Sequence, residues 1–239
     1  MKAMLLAAGE GRRLRPLTDS IPKCMLPIQG KPILEHNIAW LRRCGITELV
    51  INLFHLPRVI QEHFGDGRHW GVHITWSAES TRLGTAGGVK RVGDFFDGPF
   101  LVWYADNLST IDITRLADFH KSKGGLGTLA LFPRADVTRS GIVALDDHQR
   151  ITRFLEKPKA SQVFSHWVNA GIYILERDVL EFIPDQGETD FGRDVFPATL
   201  AAGRPLYGYR MTASEGLWWI DTPDDLQATQ NALLRRSAL

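Results

Sequence analysis

Short apolar runs and amphipathic stretches alternate along this chain of 239 residues. Lys2 to Ala7 and Glu48 to Leu53 are near-continuous apolar runs, the pattern of strands buried on both faces. Between them, Pro32 to Cys44 carries Ile33, Leu34, Ile38, Trp40 and Leu41 at helical spacing, with proline in the first turn and Gly45 just beyond the end. Pro57 to Phe64 predicts a second helix, and His73 to Ser77 alternates as a half-buried strand. Thr85 stands where it would cap a helix from Ala86 to Phe96. Phe100 to Tyr104 reads as the next strand and Ile113 to Lys123 as the next helix. This rhythm predicts an α/β fold with helices on both faces of a mostly parallel sheet.

The rhythm changes after residue 125. Gly127 to Phe132, Gly141 to Leu145, Ile151 to Leu155 and Trp167 to Leu175 are strand candidates with short connections, which suits an antiparallel portion of the same sheet. Arg177 to Ile183 and Phe191 to Ala202 read as helices, Pro205 to Met211 as a strand, and Pro223 to Arg236 as a closing helix. No repeat, linker or low-complexity run interrupts the pattern.

Composition narrows the class. The 44% apolar and 23% charged fractions are those of an ordinary globule, so one substantial α/β domain is expected, alone or with a small subdomain. A net charge of +1 implies no general attraction to nucleic acid or to an anionic membrane, so the basic cluster Arg12, Arg13, Arg15 reads as a site. Cys24 and Cys44 show no metal spacing and the eight histidines are scattered, so no zinc site is suggested. The expected compartment is the reducing cytoplasm. No apolar run approaches the ~18 residues of a membrane span, and Lys2 to Leu6 is too short for a secretory leader.

The chemistry concentrates near the N-terminus. Two glycines in Ala8-Gly9-Glu10-Gly11-Arg12-Arg13-Leu14 follow the first strand directly, then basic residues, Pro16, Pro22-Lys23 and Pro27. Glycines after a strand let backbone N–H groups approach a phosphate, and arginine and lysine neutralise it. The loop is no Walker motif, because Gly30-Lys31 is followed by Pro32 where a Ser or Thr should hold Mg²⁺. It is no full dinucleotide fingerprint either, because Leu14 stands at the third glycine. For the glycines alone, a tight strand-to-loop turn remains an equal reading.

The longer pattern is more specific. Leu6-Ala7-Ala8-Gly9-Glu10-Gly11-Arg12-Arg13-Leu14-Arg15-Pro16-Leu17-Thr18, Pro22-Lys23-Cys24-Met25-Leu26-Pro27-Ile28 and Gly30-Lys31-Pro32-Ile33-Leu34-Glu35 together resemble the signature of the sugar-1-phosphate nucleotidyltransferases. The resemblance extends over nearly the whole chain. It implies a Rossmann-like, doubly wound α/β core in one domain, residues 1–239. Residues 1–125 would form the nucleotide-binding half and 126–239 the sugar-binding half, with the antiparallel portion on the substrate side. The β-helix that the family often appends is not expected here.

By the same resemblance, Arg13 contacts the leaving pyrophosphate, and Lys23 bridges the α-phosphate and the incoming sugar phosphate. Leu6, Ala8, Gly9, Gly11, Arg13, Glu79, Gly84 and Thr85 would bind the nucleotide. Gly141, Glu156, Lys157 and Asn169 would bind the sugar phosphate. Asp106 ends an apolar strand, where ligands of open sheets bind, and with Asp221 it would hold Mg²⁺. The family's usual Gly-Asp is Ala105-Asp106 here. Asp221, before Thr222-Pro223, reads alternatively as the cap of the last helix, with the metal role favoured.

Leu83-Gly84-Thr85-Ala86-Gly87 resembles the runs of mannose-1-phosphate and heptose-1-phosphate guanylyltransferases and of short uridylyltransferases. The expected substrates are therefore a nucleoside triphosphate, with GTP favoured, and a mannose- or heptose-type 1-phosphate. The alternative is UTP with an amino-sugar or glucose-type 1-phosphate. Two other classes compete. A glycosyltransferase would want Asp-x-Asp, which Asp106-Asn107-Leu108 lacks. A non-catalytic regulatory homologue would not need Arg13, Lys23, Asp106 and Asp221 together. Trp218-Trp219 reads either as core or as a homodimer surface.

Overall fold

The computed structural model describes residues 1–235, so Arg236, the last residue of the predicted closing helix, lies outside the described residues. In chain order the elements are β1 (Ala3–Leu6), β2 (Pro27–Ile28), β3 (Lys31–Pro32), α1 (Ile33–Arg43), β4 (Glu48–Leu53), α2 (Pro57–Phe64), β5 (His73–Ala78), α3 (Gly84–Arg91), β6 (Phe100–Tyr104), β7 (Leu108–Ser109), α4 (Ile113–Lys123), β8 (Gly127–Pro133), β9 (Ile142–Leu145), β10 (Ile151–Leu155), β11 (Trp167–Leu175), α5 (Phe196–Ala201), β12 (Leu206–Arg210), β13 (Leu217–Trp218) and α6 (Pro223–Arg235). The fold is of the α/β class that the alternation predicts. The described chain divides into two compact units: Lys2–Arg82 with Tyr104–Thr110 and residues 215–235, and Leu83–Trp103 with Ile111–Ser214.

The first unit is built on parallel strands. β1 pairs with β4 from Ala3↔Leu49 to Leu6↔Asn52, and β4 pairs with β5 from Glu48↔His73 to Leu53↔Ala78. All four residues of β1 are buried, as its unbroken apolar run requires, whereas β5 is only partly buried, exposing His73, Thr75 and Ala78. α1 starts after Pro32 and closes at Gly45, whose positive φ of 76° lets its N–H reach Arg42 O at 2.9 Å while Ile46 N reaches Leu41 O at 2.9 Å. Leu14, Leu26, Ile28, Ile33, Leu108, Ile220 and Leu233 form one buried cluster, with Trp218 and Leu226 packed against it. Each such side chain contributes roughly 1.5–3 kcal/mol on burial. This packing fastens α6 and the 217–221 segment to the N-terminal loop. It puts Trp218 against the core, on the core side of the Trp218-Trp219 alternative.

The second unit holds the antiparallel portion. β11 pairs antiparallel with β6, β8 and β9, and β9 with β10, while β12 lies parallel to β8. The β11–β8 register shifts between Asn169 and Tyr173, where Asn169 Oδ1 accepts from Gly171 N at 3.0 Å and Gly171 has φ 72°. Phe154, Tyr173, Phe191 and Phe196 pack ring against ring at 5.1–5.6 Å.

Three predicted helices differ. α3 begins at Gly84 rather than Ala86 and ends at Arg91, followed by a 3₁₀ turn over Gly93–Phe95. Thr85 does not cap it. The Thr189 carbonyl accepts from Ala86 N at 3.0 Å and Gly87 N at 3.2 Å, and so satisfies the helix start from outside. Residues Arg177–Phe182 wind as 3₁₀, and Phe191–Val195 opens the next helix as a π turn before α5. No helix among the described residues is long and apolar enough to cross a membrane.

Candidate functional site

The glycine loop leaves β1 under backbone control. Ala7 N donates to the buried Asn52 Oδ1 at 2.9 Å, and Asn52 Nδ2 donates to Glu79 Oε1 at 2.7 Å. Because a backbone N–H can only donate, this pairing fixes which end of the Asn52 amide faces Glu79. Leu6 and Glu79 thus lie beside the end of one parallel sheet, where Asn52 ties the loop to the chain leaving β5. Gly11 has φ 62°, and a Cβ on it would lie 2.8 Å from Thr18 Cγ2 and 3.0 Å from Lys23 Cβ. Thr18 Oγ1 and Leu14 N both donate to Gly11 O, at 2.9 and 2.8 Å. The loop therefore needs glycine there, and it turns Arg12 and Arg13 outward while Leu14 enters the core.

Lys23 opens a 3₁₀ turn over Lys23–Met25 and is buried. Its ammonium donates to Asp106 Oδ2 at 2.7 Å and to Asp221 Oδ1 at 2.9 Å. Arg13 Nη2 lies 3.0 Å from that same Asp221 oxygen. Burial disfavours the charged lysine, but Asp106 and Asp221 outweigh it and hold its pKa above the ordinary value. Burial, with Asp106 next, pushes the neighbouring Cys24 thiol up to about 12, so it is a packing residue at neutral pH. Gly11, Arg12, Arg13, Lys23, Asp106 and Asp221 line one cavity of about 170 Å³.

The turn carrying Asp106 is clamped from three sides. Ala105 N donates to Leu6 O at 3.1 Å. The buried Asn37 of α1 donates to Ala105 O at 3.1 Å and Asn107 O at 2.9 Å. Asn107 Oδ1 accepts from Ile220 N at 3.4 Å, next to Asp221. Asn37 and Asn107 are the positioning residues that sequence reasoning missed. Asn37 carried one signal, a polar residue within the apolar stripe of α1. Asp221 is not the cap of α6. Thr222 takes that place, its hydroxyl accepting from Asp225 N at 3.2 Å.

Two carboxylates opening on a phosphate-sized cavity match the donor set of Mg²⁺, which takes one or two carboxylates and completes its shell with phosphate oxygens and water. No larger group of His, Cys, Asp and Glu suited to a metal occurs among the described residues.

The remaining predicted residues belong to the second unit. Gly84 has φ 77°, and a Cβ there would collide with the Thr189 backbone. Thr85 Oγ1 donates to Asp190 Oδ2 at 2.8 Å and accepts from Phe191 N at 3.0 Å. The four residues predicted for the sugar phosphate do come together. Asn169 N donates to Gly141 O at 2.8 Å, and Lys157 N donates to Ser140 O at 3.2 Å. A Cβ on Gly141 would lie 2.7 Å from Glu156 Oε2, and one on Gly192 2.5 Å from it. Gly192, which carries no sequence signal of its own, completes this cradle. Burial first, then the Asp190 charge, raises the Glu156 pKa, with Lys157 and Arg193 opposing. The Lys157 ammonium is exposed, 3.8 Å from Glu156 Oε1. The Asn169 amide spends one N–H on the Tyr173 hydroxyl at 2.7 Å.

Comparison with known proteins bears on this geometry. A family model described as nucleotidyl transferase matches residues 2–235. The chain is 38% identical to the UTP–glucose-1-phosphate uridylyltransferase of Synechocystis sp., over 98% of this chain and 64% of that one. It is 38% identical to the mannose-1-phosphate guanylyltransferase of Mycobacterium tuberculosis, over 98% and 64%. It thus spans somewhat under two thirds of the length of these relatives. Among solved structures, a protein described as a glucose-1-phosphate thymidylyltransferase from Bacillus anthracis, in complex with a sucrose, superposes with a TM-score of 0.87 at 25% identity, covering 100% and 97% of the two chains. A UDP-glucose pyrophosphorylase complexed with UDP-glucose gives 0.84 at 19% identity, covering 98% of each, and so shares the fold.

Proposed function

Because this chain belongs to the nucleotidyl transferase family, we propose that it transfers a nucleotidyl group from a nucleoside triphosphate to a sugar 1-phosphate. The observation that carries the reading is the Lys23 ammonium bonded to both Asp106 and Asp221 in a cavity shared with Gly11 and Arg13. A phosphate oxygen of the sugar phosphate attacks the α-phosphorus. A new P–O bond forms there, the bond to the β-phosphate oxygen breaks, and pyrophosphate leaves with its electron pair. The attacking oxygen is already anionic at neutral pH, so no general base is needed. Charge neutralisation carries the catalysis. Lys23 offers its ammonium to the α-phosphate and the incoming phosphate, and Arg13 offers its guanidinium to the leaving pyrophosphate. Asp106 and Asp221 would hold Mg²⁺, which when bound supplies further positive charge to the phosphates.

The triphosphate lies along the glycine loop, from Leu6 and Ala8 through Gly9 and Gly11, with Glu79 toward the base; in the second unit, taken by itself, Gly84 and Thr85 are the nucleotide-binding candidates. Glu156 and Asn169 hold sugar hydroxyls and Lys157 the sugar phosphate, on a cradle begun at Gly141. GTP with a mannose- or heptose-type 1-phosphate is the favoured pair, supported by the Leu83–Gly87 run and by the Mycobacterium tuberculosis relative. UTP with a glucose-type 1-phosphate is the second reading, supported by the Synechocystis relative at the same identity. The test is pyrophosphate release with Mg²⁺ across ATP, CTP, GTP, UTP and dTTP, each against mannose-, heptose-, glucose- and amino-sugar 1-phosphates. Release that requires both substrates establishes the class and names the pair. Silence across the panel from folded protein, with nucleotide sugar still bound, replaces catalysis by a regulatory role.

A further inference from the structure

The Lys23 ammonium sits where a divalent ion shared by Asp106 and Asp221 would sit. Its nitrogen lies 2.7 and 2.9 Å from one oxygen of each carboxylate, and Arg13 shares the Asp221 oxygen at 3.0 Å. The set is neutral: two carboxylates against one ammonium and one guanidinium. A divalent ion carries the same two positive charges. It would bond those oxygens at roughly 2.0–2.1 Å in the case of Mg²⁺, leaving no room between them for an ammonium. The two carboxylates also engage two of the three ammonium N–H donors, leaving one for a phosphate.

We infer that Lys23 is a stand-in cation: divalent-ion entry expels it, together with Arg13, from the carboxylates, so metal binding releases both phosphate-binding side chains. The inference rests on the reading of Asp106 and Asp221 as metal ligands. The local build permits the swing. The Lys23 backbone is pinned, with Leu26 N on Lys23 O at 3.1 Å and Met25 N on Pro22 O at 2.8 Å. Its Cβ is packed where Gly11 leaves room for it. Beyond it three methylenes carry the ammonium into the cavity that Lys23 lines with Gly11, and a swing about them would move the ammonium toward the glycine loop. The consequence is an order of events. The buried Lys23 ammonium stays between the carboxylates, and Arg13 stays paired with Asp221, until metal arrives, so metal and triphosphate bind with positive coupling.

Two measurements on the full chain test this. The first is Mn²⁺ binding, read by electron paramagnetic resonance without nucleotide. Lys23→Met should bind Mn²⁺ at least ~10-fold more tightly than the wild type, whereas Arg12→Met, which removes a charge from the same cavity wall, should change affinity by less than ~3-fold. The second, on the wild type, is acylation of Lys23 followed by mass spectrometry. Lys23 should be protected in metal-free protein and labelled several-fold faster at saturating Mg²⁺. Equal Mn²⁺ affinities for Lys23→Met and Arg12→Met overturn the inference, as does a Lys23 that stays protected with metal bound. Absence of Mn²⁺ binding from both wild type and Lys23→Met also overturns it. Turnover in the substrate panel alongside any of these results leaves the nucleotidyl-transfer reading standing. A tighter Lys23→Met with no turnover from any substrate pair does the reverse.

Discussion

Thr222 and Asp225 hold the start of α6 reciprocally: the threonine hydroxyl accepts from Asp225 N at 3.2 Å, and the aspartate carboxylate accepts from Thr222 N at 2.9 Å. This is a capping box with aspartate in the glutamate position. It takes over the helix start and leaves the Asp221 carboxylate to Lys23 and Arg13. Neighbouring residues therefore carry separate duties, which substitution should separate. Thr222→Ala should cost about 1 kcal/mol, roughly 2–4 °C in melting temperature, with turnover nearly retained. Asp221→Asn should melt close to the wild type and lose at least ~10-fold in kcat. Thermal melts and steady-state rates on both variants check this. An Asp221→Asn that melts early and turns over normally would return Asp221 to a structural role.

Lys23→Ala should abolish most turnover without changing which triphosphate is accepted. A positioned cation at a charged transition state is worth on the order of 10²–10³ in kcat. The cost falls on kcat because the ammonium meets the α-phosphorus region, remote from base recognition. Single-turnover rates with the productive substrate pair measure it. An unchanged rate would remove Lys23 from the mechanism.

The long apolar runs made the frame readable. β4, β6, β10 and β11, and helices α2 and α4, lie where periodicity alone places them. β2, β3, β7 and β13 span two residues each, too short for any period to register. Thr85 looked like a cap because the sequence around it shows a helix start. Its true partner, Asp190, lies 105 residues away. The same distance problem hid the clamp on Asp106: Asn37 reaches Asn107 O across 70 residues, and Asn107 reaches Ile220 across 113. Arg13, Lys23, Asp106 and Asp221 could be picked out one by one. Their convergence depends on the apolar cluster that docks Ile220 and Leu233 against Leu14 and Leu26.

Asn52 supports the nucleotide end of the loop through Ala7 and Glu79. Asn52→Leu takes the acceptor from the buried Ala7 N–H and a donor from the Glu79 carboxylate. A buried polar group left unsatisfied costs about 1–3 kcal/mol. The variant should melt several degrees lower. With the loop loosened, KM for the triphosphate should rise more than KM for the sugar phosphate. Parallel titrations of the two substrates test this, and an equal rise in both constants would count against a specific link to the nucleotide.

Glu156 stores a conflict between folding and ligand binding. Its pKa is raised by burial and by Asp190, so ionisation is less favourable in the folded chain than in the unfolded one. Its contribution to stability is fully present below the ordinary value of 4.5 and is lost as pH rises through the raised value. At neutral pH the ionised carboxylate therefore opposes folding. Glu156→Gln keeps the shape between Gly141 and Gly192 and removes the charge. It should melt above the wild type at pH 7–8, and the difference should shrink as pH is lowered toward 4. Loss of the charged acceptor should raise KM for the sugar phosphate about 10-fold or more, since hydrogen bonds to ionised groups are worth about 1.5–3 kcal/mol. Melting curves across pH, paired with sugar-phosphate titrations, read both effects. A melting difference independent of pH would show that the carboxylate's charge is not what the fold resists.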